Sequence, residues 1–369
     1  NMREYEGSAT VSPFISSVSL NGPVYPQRVS FLGSLRHSTL EQGAARYVDQ
    51  PLPFEFADAF GKLYARISPT TRLVGSGIWS TDTGTLASAG RDSVAREMRW
   101  TNSGASLRYL AVPSSLPIRA EGFIAYSQLR SELGPIDEPL RTSSVENARV
   151  GAEAHIPGES VSAVTGFTAD FVNVDTKMGH FFDNIRTGVV ASFVQTGLYV
   201  TPTFKFLPGD RLTIEPGLRG HFYNVRFDPY VEPRVRVNYE VANQEVSFAG
   251  GLFHQEMLGL ADRRDAASVF TAWTLVPHRR AGVAEGLNSV LFGRLGRAYH
   301  LAGSYRLRPS PSVELALEGF YRHYANLFVQ EWSSQVEFSP RLQPATGRSV
   351  GGNVRLEVQK GPFYGFLNY

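Results

Sequence analysis

Between residues 211 and 255, apolar and polar residues alternate strictly over three short segments, and this alternation limits what the chain can fold into. Successive side chains of a β-strand point to opposite faces of the sheet, so each segment has one apolar and one polar face. In the middle segment every polar position is ionic or amide. These polar residues are Glu232, Arg234, Arg236, Asn238 and Glu240, and the apolar ones are Val231, Val235, Val237 and Tyr239.

A sheet that is apolar outside and charged inside is typical of a transmembrane barrel around a wet lumen. A soluble antiparallel sheet with one wet face is equally compatible with residues 211–255 alone. In a barrel, the residues predicted to face lipid are Leu218, Val235, Val237, Phe248, Leu315 and Leu317. Those predicted to face the lumen are Arg219, Glu232, Arg234, Arg236, Glu318, Arg322 and Arg355. These charges either line a substrate path or pair with one another across the hydrated lumen.

Segments of about ten residues recur along the whole chain, and the pattern predicts about 17 strands and no helix. Short turns rich in Pro, Gly, Ser and Asn alternate with longer connections. The longer ones cover residues 39–54, 81–97, 131–146, 175–186, 256–296 and 325–347. Short turns at one rim and long loops at the other are typical of outer-membrane barrels, so this alternation favours the barrel over a sandwich or propeller.

Composition excludes several function classes. The 369 residues include no cysteine, which rules out thiolate sites and a disulfide scaffold. A net charge of +2 argues against a nucleic-acid partner, and no apolar run approaches the length of a helical membrane span. We find neither an HExxH motif nor a phosphate-binding loop, so the sequence predicts no enzyme and no cofactor.

The longest connection, 256–296, holds the candidate ligand-binding residues Trp273, His278, Arg279 and Arg280, which could bind an anionic or aromatic ligand. The alternative is an ordinary solvated loop. In either case we expect residues 256–296 to lie on the extracellular side and to be the most mobile long segment. His180, His221, His254 and His300 lie far apart in the sequence, so we predict no metal site.

Short motifs spread over the chain resemble the barrel of a TonB-dependent outer-membrane receptor, particularly the kind common in Bacteroidetes-like bacteria. They are Leu20-Asn21-Gly22-Pro23, FLGSLRHS at 31–38, Phe56-Ala57-Asp58 with Lys62, Trp100-Thr101-Asn102, Gly217-Leu218-Arg219, Glu232-Pro233-Arg234, residues 318–322 with Asn326-Leu327, and residues 351–357. Each motif is short, and their order and spacing carry the resemblance.

The resemblance implies a 22-stranded barrel filled by an N-terminal plug. On that basis residues 1–6 are expected to end the plug or its linker, and 7–369 to form a partial barrel of about 17 strands, with no plug. We therefore expect a lateral gap between the first strands and residues 361–369. One departure is Pro216 inside a predicted strand, where we expect a bulge because proline cannot donate to the ladder.

The resemblance also implies a function, namely active uptake of a scarce nutrient across the outer membrane of a Gram-negative bacterium. The cargo class stays open between a siderophore, a vitamin, an oligosaccharide and a peptide. Implied partners are outer-membrane lipid, the TonB complex acting through a plug, and the nutrient ligand. A surface lipoprotein is a further candidate partner. Two alternatives remain: a passive porin-like channel, which predicts a long loop folded into the lumen, and a soluble β-protein that binds a polymer.

Overall fold

The computed structural model describes most of the chain, and every structural statement below concerns its described residues. These are 3–39, 54–86, 96–113, 115–135, 139, 141–179, 186–223, 226–261, 270–275, 295–330 and 342–369. Within these ranges the regular structure consists of β-strands. None of the described segments is a helix long and apolar enough to span a membrane.

The strands are numbered in chain order. The first ten are β1 (Glu6–Val11), β2 (Ile15–Tyr25), β3 (Val29–Ser38), β4 (Phe54–Arg66), β5 (Thr71–Leu86), β6 (Arg96–Ala111), β7 (Arg119–Leu133), β8 (Arg141–Ile156), β9 (Val161–Gly179) and β10 (Arg186–Phe206). The others are β11 (Leu212–Tyr223), β12 (Arg226–Val241), β13 (Gln244–Gln255), β14 (Met257–Ala261), β15 (Thr271–Leu275), β16 (Gly296–Ser310), β17 (Val313–Gln330), β18 (Leu342–Lys360) and β19 (Phe363–Asn368).

Seventeen of these strands form one antiparallel sheet, as the sequence pattern predicted. Each strand pairs with the next in the sequence, except that β13 pairs directly with β16. The two skipped strands, β14 and β15, pair with each other in a separate hairpin. This meander is the wall of an antiparallel transmembrane barrel.

The register separates the side chains into two faces. The polar face is the one that carries Arg219 opposite Glu232 and continues to Arg234. The apolar face is the opposite one, where Leu218 and Phe248 are 51% and 44% exposed. Large apolar side chains are exposed along this face in most of the wall, which fits a surface solvated by lipid rather than water.

The two ends of the sheet each have a partner on one side only. All register pairs of β1 are to β2, and all those of β19 are to β18. Within the described part of the chain no ladder joins β1 to β19, so the expected gap between these edges is present. Both strands are exposed along their whole length.

The bulge expected at Pro216 is wrong. The β11–β12 ladder runs without a shift through Glu215–Arg236, Pro216–Val235 and Gly217–Arg234, and its one irregularity lies near Tyr223. On the other side, the β10–β11 pairs stop at Val200–Leu218 and resume at Phe204–Ile214 in the same register. Proline therefore lies where the ladder has an interruption, so its missing N–H costs no regular pair.

The sequence pattern missed β14 and β15. We expected the connection 256–296 to carry no regular structure, yet Met257–Ala261 and Thr271–Leu275 form a short antiparallel hairpin. Each strand has only five residues, which is too short for alternation to stand out against a loop.

Candidate functional site on the polar face

A buried carboxylate organises the polar face between β11 and β13. Glu232 has 2% of its surface exposed and accepts hydrogen bonds on both oxygens. His221 Nε2 lies 3.0 Å from Oε2, and Arg234 Nη2 lies 2.8 Å from the same atom. The backbone N–H of His254 donates to Oε1 at 2.7 Å. A buried charge needs such donors, so this cluster fixes the relative positions of three strands.

The hydrogen bonds around His221 assign its tautomer. The Gln195 amide nitrogen lies 2.7 Å from His221 Nδ1, so Nδ1 accepts and Nε2–H is free to donate to Glu232. The imidazole also stacks on Tyr223 with ring centroids 6.2 Å apart. The neighbouring Tyr230 ring lies 5.1 Å from His254. Aromatic rings thus cover the charged cluster on one side and keep water from it.

These rings continue into an apolar cluster on the polar face, which the hairpin covers. Its buried members are Val172, Val174, Phe193, Tyr223 and Leu295, and Val145, Tyr230, Met257 and Trp273 pack against it. The strands β8 to β12 contribute the wall side, and Leu295 directly precedes β16. Met257 and Trp273 come from the hairpin. The connection between β13 and β16 therefore crosses the polar face and packs against strands several positions away.

Two wall hydroxyls hold the hairpin through the backbone of Trp273. Ser143 Oγ accepts from the Trp273 N–H at 2.9 Å, and Thr176 Oγ1 donates to the Trp273 carbonyl at 2.6 Å. Ser143 and Thr176 are register partners on β8 and β9, and their hydroxyls lie 3.0 Å apart. Both residues are almost fully buried. The pair satisfies both the backbone N–H and the backbone carbonyl of Trp273, as a neighbouring strand would.

We expect Ser143→Ala to loosen the hairpin, because the buried Trp273 N–H loses its acceptor, at a cost of about 1–3 kcal/mol. Chymotrypsin added to the purified protein should then cleave at Trp273 roughly ten times faster. The control is Ser127→Ala, because Ser127 is an exposed residue of β7 on the same face of the sheet as Ser143. This substitution should leave the cleavage rate unchanged. Equal cleavage rates in the two variants would contradict the hydroxyl anchor.

A second chain of polar side chains lies on the same face, nearer the short turn between β8 and β9. Tyr199 Oη donates to Glu153 at 2.6 Å, and His155 Nε2 lies 2.6 Å from the other oxygen of that carboxylate. Tyr199 also lies over Gly166, where an added Cβ would approach its hydroxyl to 2.6 Å. Glycine at this position therefore makes room for the ring.

The register brings the predicted lumen-facing residues together in two groups. On β11 and β12, Arg219 is opposite Glu232 in the register, and Arg234 bonds to the carboxylate of Glu232. Arg236 lies 3.7 Å from Glu215. The second group lies on β17 and β18. There Glu318 is opposite Asn353, Arg322 is opposite Ser349, and Arg355 contacts Glu357. Both groups share the polar face, and their exposure to a lumen stays a prediction.

Of the four predicted ligand-binding residues, Trp273 alone lies within the described residues. Trp273 belongs to the hairpin and packs against the apolar cluster, and its role in ligand binding stays a prediction. His278, Arg279 and Arg280 lie outside the described residues, and their role in binding stays a prediction.

Sequence distance was a poor guide to the histidines. His221 and His254 lie 33 positions apart in the sequence, yet both contact Glu232. Alternation along β11 and β12 would place His221 on the same face of the sheet as Glu232. The contact between His254 and Glu232 could not be predicted in this way, because it depends on where the β12–β13 ladder ends. No group of three or more described metal-ligating side chains has the arrangement of a metal site.

The chain is similar to solved outer-membrane receptors over almost its whole length. The siderophore receptor PirA from Acinetobacter baumannii has a TM-score of 0.67 and 12% identity, with 97% of this chain and 61% of that chain covered. The fold is that of a TonB-dependent receptor barrel. The alcaligin outer-membrane receptor FauA from Bordetella pertussis has a TM-score of 0.60 and 10% identity, with 99% and 60% covered.

The outer-membrane transporter YddB from Escherichia coli matches with a TM-score of 0.62 and 10% identity, covering 93% of this chain and 52% of that chain. The chain thus spans between 52% and 61% of the length of these three relatives. Their names describe receptors and transporters rather than enzymes. Neither a scan against family models nor a search of curated proteins gives a match.

Proposed function

We propose that the chain is the barrel wall of a TonB-dependent transporter that takes up a scarce nutrient across the outer membrane of a Gram-negative bacterium. The observation that carries this proposal is the receptor-barrel fold, which extends over 97% of the chain in the match to PirA. A wall with exposed apolar residues on one face and charge clusters on the other suits a barrel in lipid around a wet interior.

The finer parts of the proposal rest on the sequence resemblance. Residues 1–6 would end a plug or linker, and 7–369 would form the wall. TonB would act through the plug, outer-membrane lipid would surround the wall, and a surface lipoprotein is a further partner to seek. The related structures named by organism come from Acinetobacter, Pseudomonas, Bordetella and Escherichia, so the Bacteroidetes-like subtype has no structural support.

The cargo is proposed only as a nutrient. Relatives are named as receptors for siderophores, including alcaligin and enterobactin, and one as a copper transporter. Iron chelates and copper are therefore the first cargoes to test, and vitamins, oligosaccharides and peptides follow.

The hairpin favours a second candidate function. A long connection folded against the polar face is what a passive porin-like channel predicts, and β14–β15 lies there on the wall strands β8 to β10. In such a channel the hairpin would narrow the lumen, and no TonB would be needed. The soluble polymer-binding alternative is disfavoured by the large apolar side chains exposed along the apolar face.

Uptake in the native host separates the two candidates. Cells starved of iron or copper are given the radioactive metal as a chelate or free ion, with and without the receptor gene and with and without TonB. Active transport predicts that losing either gene lowers uptake to the same background. Uptake that needs the receptor but survives loss of TonB would replace our proposal with the passive channel.

A further inference from the structure

On the apolar face, the side chains of β9 change from apolar to polar part-way along the strand. Near the short turn after β8, the exposed side chains on this face include Val161, Phe167 and Phe171. The next three positions on the same face are Asn173, Asp175 and Lys177. The strand β7 shows the same change after Tyr126. The apolar band therefore ends before these strands do, and a polar surface continues beyond it.

The depth of this change corresponds to the edge of the hydrocarbon. Phe171 lies ten positions beyond Val161 on β9, which is about 25 Å along the membrane normal for a strand tilted by about 40°. The apolar band of transmembrane barrels is about 25 Å tall and is bordered by aromatic rings. Tyr126 and Phe171 form such a border, since they share one register row through Ala148. Because the longer connections follow on this side, the polar surface lies among the headgroups of the outer leaflet.

The register builds this polar surface into a recess. One row across β7, β8 and β9 holds Gln128, Glu146 and Asn173. The corresponding row one step further from the apolar band holds Arg130, Ser144 and Asp175. Together with Lys177, these residues line a recess of about 340 Å³, which we call the rim recess. Its volume is within the range of small-molecule sites.

The charged groups of the rim recess are only partly paired. Arg130 lies 2.6 Å from Glu132 but keeps 54% of its side chain exposed. Asp175 Oδ1 is shielded from solvent and has no hydrogen-bond partner among the described residues. Those residues also offer no ion pair to the exposed Lys177. A shielded carboxylate oxygen is stabilised by a donor or a cation, so Asp175 suits a ligand that brings one.

We propose that the rim recess binds the phosphorylated sugar headgroup of an outer-leaflet lipid, such as bisphosphorylated lipid A. Lys177 and Arg130 would bind a phosphate, while Asp175 and Asn173 would bind sugar hydroxyls. A bare phosphate would gain less, because the carboxylate of Asp175 repels it. The recess opens on the lipid-facing side directly beyond the apolar band, so the acyl chains of the same molecule would lie against Phe171. The inference rests on the proposed place of the wall in an outer membrane and not on its cargo.

Binding of defined lipids to the complete protein tests the site. The detergent-purified protein is titrated with bisphosphorylated lipid A, with the same lipid after removal of both phosphates, and with phosphatidylglycerol. Bound lipid is counted by native mass spectrometry. We expect bisphosphorylated lipid A to bind at least about fivefold more tightly than the other two, because one of them lacks the phosphates and the other lacks the sugars. Equal binding of all three lipids would overturn the proposal.

Two substitutions in the rim recess change its charge in opposite directions. Lys177→Gln removes a cation and should weaken the binding of bisphosphorylated lipid A about fivefold. Asp175→Ala removes an anion, yet it should also weaken binding, by about threefold, because a sugar hydroxyl loses its acceptor. General attraction between charges predicts the reverse for Asp175→Ala, namely tighter binding of an anionic lipid. The sign of this change therefore distinguishes a headgroup site from a positively charged surface.

The control is Arg348→Gln, which removes an exposed cation from the apolar face of β18, outside the rim recess. It should leave lipid binding unchanged, and the folding of every variant is checked by its heat-modifiable mobility on gels. Tighter binding by Asp175→Ala, or equal losses in Lys177→Gln and Arg348→Gln, would overturn the site. Nutrient uptake should stay at the wild-type rate in all three variants, so failure of the lipid site would leave the proposed function standing.

Discussion

Glu232→Ala should destabilise the barrel by about 3–5 kcal/mol, because it removes the acceptor from a buried network and leaves its donors unpaired. The donors that lose their partner are His221 Nε2, Arg234 Nη2 and the backbone N–H of His254. These groups come from separate strands, so the loss loosens the wall at the point where the hairpin also packs. The free energy of unfolding is measured by urea titration of the protein in lipid vesicles.

The matched control is Glu357→Ala, which also removes a carboxylate from an arginine on the polar face. Its partner Arg355 is 51% exposed, and exposed pairs contribute at most about 1 kcal/mol. Glu232→Gln should fall between the two, since the amide keeps one acceptor oxygen. If Glu232→Ala and Glu357→Ala cost the same, Glu232 does not organise the network.

Leu218→Arg should destabilise the barrel by about 2–4 kcal/mol, because it places a charge in the lipid-facing band. Leu218 lies six residues beyond the start of β11 at Leu212, which is about 15 Å along the membrane normal for a tilted strand and so near the midplane. The neighbouring Arg219 lies on the polar face, and Arg219→Gln should cost less than about 1 kcal/mol.

The same urea titration compares the two variants, with folded protein counted from its heat-modifiable mobility on gels. Adjacent residues are the sharpest control, since they share depth, strand and neighbours and differ only in the face to which they point. Equal stability of Leu218→Arg and Arg219→Gln would mean that the faces are assigned the wrong way round.

The wall of the barrel was predictable from the sequence because alternation depends only on neighbouring residues. Every strand of the 211–255 stretch pairs as the pattern suggested, and the charged positions fall on one face. The same local rule explains the error at Pro216, since a residue's own chemistry does not reveal where the adjoining ladder is interrupted.

The site was less predictable because it depends on contacts between distant segments. Ser143 and Trp273 are 130 positions apart, and no periodicity links a hydroxyl on one strand to the backbone of a distant hairpin.

The hairpin anchored at Trp273 also affects how the connection between β13 and β16 can change without unfolding the wall. By fixing β14–β15 in place, Ser143 and Thr176 divide one long connection into two separate ones, each with both ends tethered. The entropy of closing a loop grows only with the logarithm of its length, so either part can accept extra residues at little cost. Peptide insertions after Ala261 or before Leu295 should therefore be tolerated independently of each other, without loss of the hairpin's contacts with the wall.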